Sequence, residues 1–247
     1  MRIAFSGGTA LYRWAWTEGL ESLGQLDATV PLPWEADGAR DGEIERLLAA
    51  IGDAVEAGGQ RFRQGDTFDY GWTTVRFEAG AASGDSAGRL VVSELTEPLL
   101  ATPATYRRGA NGLVALMRAQ TEGLRRNGIA GVAAPPHRSD LAVICTRVPP
   151  TGPEYPHPLV LERRSEPERG ESGWVIRCAD PAHDHHNSQA LASVRLVHVV
   201  AGFPGIVPYL ALPAGSAVLV EGQEAIVFRP GEDEGRPDPA SALSWTL

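Results

Sequence analysis

The hydrophobic period changes from helical to alternating within one short stretch, and that change restricts the fold more than any other feature. Asp41 is a capping residue, and Ile44, Leu47, Leu48, Ile51 and Val55 come after it at helical spacing. Gly58-Gly59 ends the run, which predicts an amphipathic helix from Asp41 to Ala57. From Thr67 the period is two: Phe68, Tyr70, Trp72 and Thr74 alternate with Asp69, Gly71 and Thr73, as in a half-buried strand. The small-residue segment Ala79 to Gly88 then leads into Arg89 to Leu95, and the pair predicts an antiparallel hairpin.

Upstream, Ile3 to Phe5 suits an edge strand. Leu11 to Leu26, with Tyr12, Trp14, Trp16, Leu20 and Leu23, is read as a helix, and Pro31 and Pro33 then break the chain. Pro98 and Pro103 punctuate the segment after the hairpin. A second helix is expected from Pro103 to Arg126, with Tyr106, Leu113, Leu116, Met117 and Leu124 on its apolar face and Asn127-Gly128 as C-cap. Beyond a Pro-rich loop lie short apolar runs: Leu141 to Cys145, Leu159 to Leu161 and Gly173 to Cys178 as strands. Leu191 to Val200 is strand or short helix, Pro204 to Leu212 a helical turn, and Ser216 to Val220 with Glu224 to Phe228 a hairpin. Hairpins interspersed with two good helices, without βαβ alternation, predict an α+β fold. Its sheets should be mainly antiparallel, with two or three covering helices, in two lobes. The turn Ala133-Ala134-Pro135-Pro136 marks the expected division. It separates an N-terminal α+β region, 1–136, from a second domain, 137–230, and 231–247 reads as a mobile acidic tail.

Composition narrows the function. The chain has 247 residues, 22 of them Lys or Arg and 31 Asp or Glu, for a net charge of −9. Every basic residue is Arg, which excludes the P-loop, Schiff-base and protein-kinase chemistries that need a lysine. The acidic balance disfavours nucleic acid and anionic membrane and favours a basic protein partner. No apolar run is long enough to span a bilayer, and Met1 to Gly8 lacks a secretory signal, so cytoplasmic residence is expected.

Candidate chemistry is sparse. Cys145 and Cys178 are the two cysteines, both in apolar strand-like runs, which predicts buried, inert thiols; two thiols alone do not complete a four-ligand zinc site. His183, Asp184, His185 and His186 are good ligand types for a transition metal, but neighbouring residues of one loop rarely converge on one ion. No metal and no cofactor are therefore expected. Ser6-Gly7-Gly8-Thr9 could cradle phosphate but lacks the third glycine of a dinucleotide site, so it reads as a structural turn. There is no Gly-x-Ser-x-Gly elbow. His137, His157 and His198 stand without carboxylate motifs, and Glu94 with Glu97 is a chance pair in an acidic chain. The expectation is a protein that is not an enzyme.

One ordered pattern remains. Ser172-Gly173-Trp174-Val175-Ile176 precedes a polar loop, then Leu196 to Val200, then Pro204-Gly205-Ile206-Val207-Pro208-Tyr209-Leu210 and Pro213, Gly215, Ser216 and Ala217. This resembles an immunity-protein domain family of bacterial polymorphic-toxin systems (immunity protein thirty-three), over roughly Asp140 to Arg229. The resemblance implies a protein that neutralises a cognate toxin by contact, without chemistry of its own. The partner-binding residues would be Trp174 and the loop residues Asp180, His183, Asp184, His185, His186 and Asn187. A small metal-dependent hydrolase using the His183 to His186 loop is the alternative, and a scaffold with a peptide-binding sheet edge a third reading.

Overall fold

The structure is a computed structural model. It describes residues 1–5, 12–33, 38–82, 84, 86–96, 104–129, 135–148, 158–165, 167–180, 183–185, 187–222 and 224–231. The expectations for Ser6 to Thr9, Glu97, Pro98, Pro103, Ala133-Ala134, His157, His186 and the tail beyond Gly231 lie outside the described residues. The chain forms two compact units, Met1–Arg118 and Ala119–Leu247. The fold is α+β, with two mixed sheets that are antiparallel except for one parallel pair in each.

Among the described residues the first unit holds seven strands: β1 (Arg2–Phe5), β2 (Tyr12–Glu18), β3 (Ala28–Pro33), β4 (Thr67–Tyr70), β5 (Thr73–Ala79), β6 (Leu90–Leu95) and β7 (Tyr106–Arg108). Their order is β1-β2-β3-β6-β5-β4, with β7 also paired to β6. The helix α1 (Gly38–Glu56) packs on β1 to β4. It buries Ile44, Leu47, Leu48, Ile51 and Val55 against Val30, Leu32, Val75, Phe77 and Val92. Asp41 lies in its first turn and holds Arg13 of β2 through both carboxylate oxygens, which ties helix to sheet.

Three expectations fail here. The segment read as a helix from Leu11 to Leu26 is the strand β2, followed by a 3-10 turn at Leu20–Leu23. Its large residues Tyr12, Trp14 and Trp16 are spaced by two, the period of a strand, while Ala15 and Thr17 at alternate positions are fully buried. Pro31 and Pro33 do not break the chain but belong to β3. Beyond Thr29, β3 has no registered partner on its β6 side among the described residues, so a missing N–H there costs no described ladder bond. The alternating run from Thr67 is likewise two strands, turned at Gly71 (φ 55°) and the buried Trp72.

The helix α2 (Asn111–Arg126) is shorter than expected, because Tyr106 to Arg108 is the strand β7. It contains the division between the units. Its first turn is held by Glu94 of β6, which the sequence alone gives no role. The Leu113 N–H donates to Glu94 Oε2 at 3.0 Å, and Arg107 Nη2 donates to Oε1 at 2.8 Å. A carboxylate at a helix N-terminus satisfies an orphan donor and complements the dipole. Gly112 gives it room, since a Cβ there would lie 3.2 Å from Oε2. Glu94→Ala should cost the first unit about 2 kcal/mol in denaturant unfolding, through the lost cap and an unpaired buried N–H. Glu94→Gln, which keeps an acceptor, should cost about half that. Equal costs for both would remove the hydrogen bond as the cause. At its other end α2 finishes on Gly128 (φ 63°), with the Ile129 N–H donating back to Leu124 O at 3.0 Å, the expected glycine cap.

The second unit holds β8 (Leu141–Cys145), β9 (Leu159–Arg163), β10 (Glu171–Cys178), β11 (Leu191–Arg195), β12 (Ala217–Glu221) and β13 (Glu224–Phe228), in the order β11-β8-β10-β9-β12-β13. The apolar run from Leu191 is first strand and then helix: β11 passes into α3 (Leu196–Gly202), followed by a 3-10 turn at Pro204–Tyr209. β10 is buried from Ser172 to Cys178 on both faces. Trp174 is fully buried, and its Nε1–H donates to the Leu210 carbonyl at 3.2 Å. β9 lies between β10 and β12, so the Trp174 strand does not adjoin the strand that begins at Ala217. In the C-terminal half of α2, Gln120 Nε2 donates to Val207 O at 3.3 Å, and Gly123 permits close approach of the Pro208 carbonyl.

Candidate functional site

The topology of the second sheet creates its main feature. β11 and β10 flank β8, so the connection from Ala179 to Ala190 crosses the end of β8, where Cys145 is the last strand residue. β8 and β10 are parallel, so Cys178 ends its strand at the same edge. The connection is anchored at several points. Ala179 N–H donates to Pro158 O at 2.8 Å, Thr146 N–H to Ala190 O at 2.8 Å, and Arg147 pairs with Asp180 at 2.6 Å.

That crossing turns two histidines inward. His183 Nδ1 lies 3.2 Å from Cys145 Sγ and 3.2 Å from Cys178 Sγ. His185 Nε2 lies 3.3 Å from Cys178 Sγ, and the two sulfurs are 3.8 Å apart. All four ligand atoms fall within 4.8 Å of one another. The imidazole rings lie with centroids 4.6 Å apart. Cys145, Cys178 and His185 are buried. Burial pushes the Cys145 thiol up, opposed by hydrogen bonds from the Arg147 and Cys178 backbones.

The residues chosen from the sequence separate accordingly. His183 and His185 both face the thiols; His185 is buried, whereas His183 is half-buried and keeps part of its ring at the surface. Trp174 is core, and a partner cannot reach it without opening the domain. Asp180 is committed to Arg147. Asp184 and Asn187 are exposed, and Asn187 Oδ1 accepts the Gln189 N–H at 2.9 Å. The thiols are buried as expected, but they are not separate from the histidines. The sequence holds part of that signal, because Cys178, His183 and His185 form a Cys-x4-His-x-His run. Cys145 joins them only through the parallel pairing of β8 with β10.

The pattern that carries the family resemblance is also a physical unit. Gly173 adopts φ 76°, which suits glycine, beside the Arg164 carbonyl and Pro167. Trp174 is next in the chain and bonds Leu210, within the buried run Ile206, Val207, Leu210, Ala211 and Leu212. Arg163 donates to the Leu212 carbonyl and lies 5.9 Å from the Trp174 ring centroid.

A six-stranded mixed sheet with its own core makes the second unit an α+β domain in its own right. Residues 120–229 of it match the Imm33-like domain family, the immunity-protein family that the Gly-Trp strand and the Pro204 to Ala217 segment resemble. No curated protein and no solved structure matches the chain. Among the described residues, no helix is long and apolar enough to cross a membrane.

Proposed function

We propose that this protein is an immunity protein, which binds a cognate bacterial toxin or secreted effector and neutralises it by contact, without catalysis of its own. The observation that carries the reading is the match of residues 120–229 to the Imm33-like domain. Two further features support it. The net charge of −9 steers a basic partner toward the chain. The connection between β10 and β11 is fastened at Ala179, Asp180 and Ala190, and Asp184 and Asn187 are exposed between those points. Asp184 supplies charge for a basic group of the toxin, and Asn187 an adaptable hydrogen-bonding group beside it. The hydrolase alternative draws no support from the cluster, because four protein ligands around one point leave no place for water or substrate.

The test uses the full chain and the product of a toxin-like reading frame beside its gene. Co-purification, protection of sensitive cells and a binding isotherm should all be positive. Asp184→Arg should slow association at low salt by about tenfold while the fold is retained. Absence of binding and protection with the intact chain overturns the immunity reading. Unchanged association with Asp184→Arg removes this loop from the interface.

A further inference from the structure

We propose that Cys145, Cys178, His183 and His185 form a tetrahedral binding site for a thiophilic divalent cation, zinc in kind, that staples the 179–190 connection to the sheet. The inference stands on the geometry of the second unit and is independent of the immunity reading.

The distances fit a shared ion. With Zn–S of about 2.3 Å and Zn–N of about 2.0 Å at tetrahedral angles, two sulfurs sit about 3.8 Å apart and a sulfur and a nitrogen about 3.5 Å apart. The sulfurs here are 3.8 Å apart, and the three close sulfur–nitrogen distances are 3.2, 3.2 and 3.3 Å. Hydrogen bonding alone accounts poorly for the same contacts. A ring nitrogen presents one in-plane axis, a proton or a lone pair, yet His183 Nδ1 is equidistant from both sulfurs. A cation at the centre uses each lone pair once.

Charge and chemistry agree. Two thiolates and two neutral imidazoles around a divalent ion sum to zero, the condition for a site whose residues are largely buried. A monovalent ion would leave one negative charge there. Sulfur with imidazole selects zinc over magnesium or calcium, which require oxygen. The Arg147 N–H lies 3.4 Å from Cys145 Sγ, where it stabilises a thiolate. The ligand set is closed, so the role is structural. The ion joins the ends of β8 and β10 to a loop in which, among the described residues, Ala190 alone is a buried apolar side chain.

The experiment is metal binding by the tag-free full chain. Purified without chelator, the wild-type protein should carry one zinc per chain by elemental analysis. The reduced, metal-stripped chain should bind Co2+ one to one, with the intense visible bands of tetrahedral cobalt and a sulfur-to-cobalt charge-transfer band. Cys145→Ser and His185→Ala should each weaken the metal by more than about 100-fold, beyond what loss of an outer-shell partner costs. His183→Cys should keep the tetrahedral spectrum and strengthen the charge-transfer band, a gain that a purely packing role would not produce. It decides the matter even if Cys145→Ser fails to fold. A reduced, folded wild-type chain that gives no tetrahedral cobalt spectrum overturns the proposal. So does metal affinity unchanged in Cys145→Ser, or a Cys145–Cys178 disulfide whose reduction yields no metal binding.

Discussion

Trp174→Ala should destabilise the second unit by about 3–5 kcal/mol, the range for deletion of a large buried aromatic. The side chain is fully buried on a strand that is covered on both faces. Its removal leaves a cavity that neighbouring strands cannot close without giving up their own ladder bonds. It also takes the indole donor from Leu210 O, leaving that carbonyl with the longer contact from Arg163 at 3.4 Å. Because a domain's whole stability is about 5–15 kcal/mol, the variant should populate unfolded forms at physiological temperature. Urea unfolding followed by far-ultraviolet circular dichroism measures the loss. Trp174→Phe, which keeps most of the apolar volume, should cost less than half as much. A loss below about 1 kcal/mol for the alanine variant would place Trp174 at the surface and return it to the partner interface.

The second large effect concerns Arg177, on the same strand. Its guanidinium is buried and pairs with Glu162 of β9 at 2.5 Å, and the Glu162 side chain is 17% exposed. Removing one member of a buried pair strands the other's charge in a medium that solvates it poorly. Glu162→Ala should therefore cost about 3 kcal/mol. Replacing both residues by apolar ones of similar length, Glu162→Leu with Arg177→Met, should bring stability to within about 1 kcal/mol of the wild type, because the desolvation cost vanishes with the charges. A double variant as unstable as Glu162→Ala would mean that the shape of the two side chains, rather than their charge, is what the strands need.

These effects bear on the functional reading. Trp174 and the Pro204 to Ala217 segment carry the family resemblance, and Trp174 is interior with its indole bonded to that segment. On the proposed immunity reading, their substitution would abolish protection by unfolding the domain, without removal of a partner contact. Variants such as Asp184→Arg, on the exposed part of the loop, separate recognition from folding.

Much of the architecture is legible in local pattern. The α1 face from Ile44 to Val55, the strand Leu141–Cys145, the C-cap at Gly128 and the hairpin around Gly222 come from spacing and turn chemistry, because each is decided by neighbours a few residues apart. Where two periods fit, local pattern fails. Tyr12, Trp14, Trp16, Leu20 and Leu23 satisfy a helix in part and a strand in part, and only pairing with β1 and β3 chooses the strand. The two prolines of β3 mislead for a related reason. A proline is harmful only where its N–H faces a partner, and the partner is set by strand order.

The site divides in the same way. The chain itself determined that His183 and His185 lie close to Cys178, since they share one short run, and it determined the Gly-Trp and Pro204 to Ala217 pattern that marks the domain. It could not determine that Cys145 completes the cluster, because 32 residues separate it from Cys178 and only the parallel pairing of β8 with β10 closes that gap. Nor could it determine which way the histidines face. Imidazole is equally at home in water and against a thiol, and its direction is set by the path of the connection over the end of β8. Sequence spacing encodes what neighbours along the chain do together, whereas a four-ligand site is assembled across strands, by hydrogen-bond registers that no single segment contains.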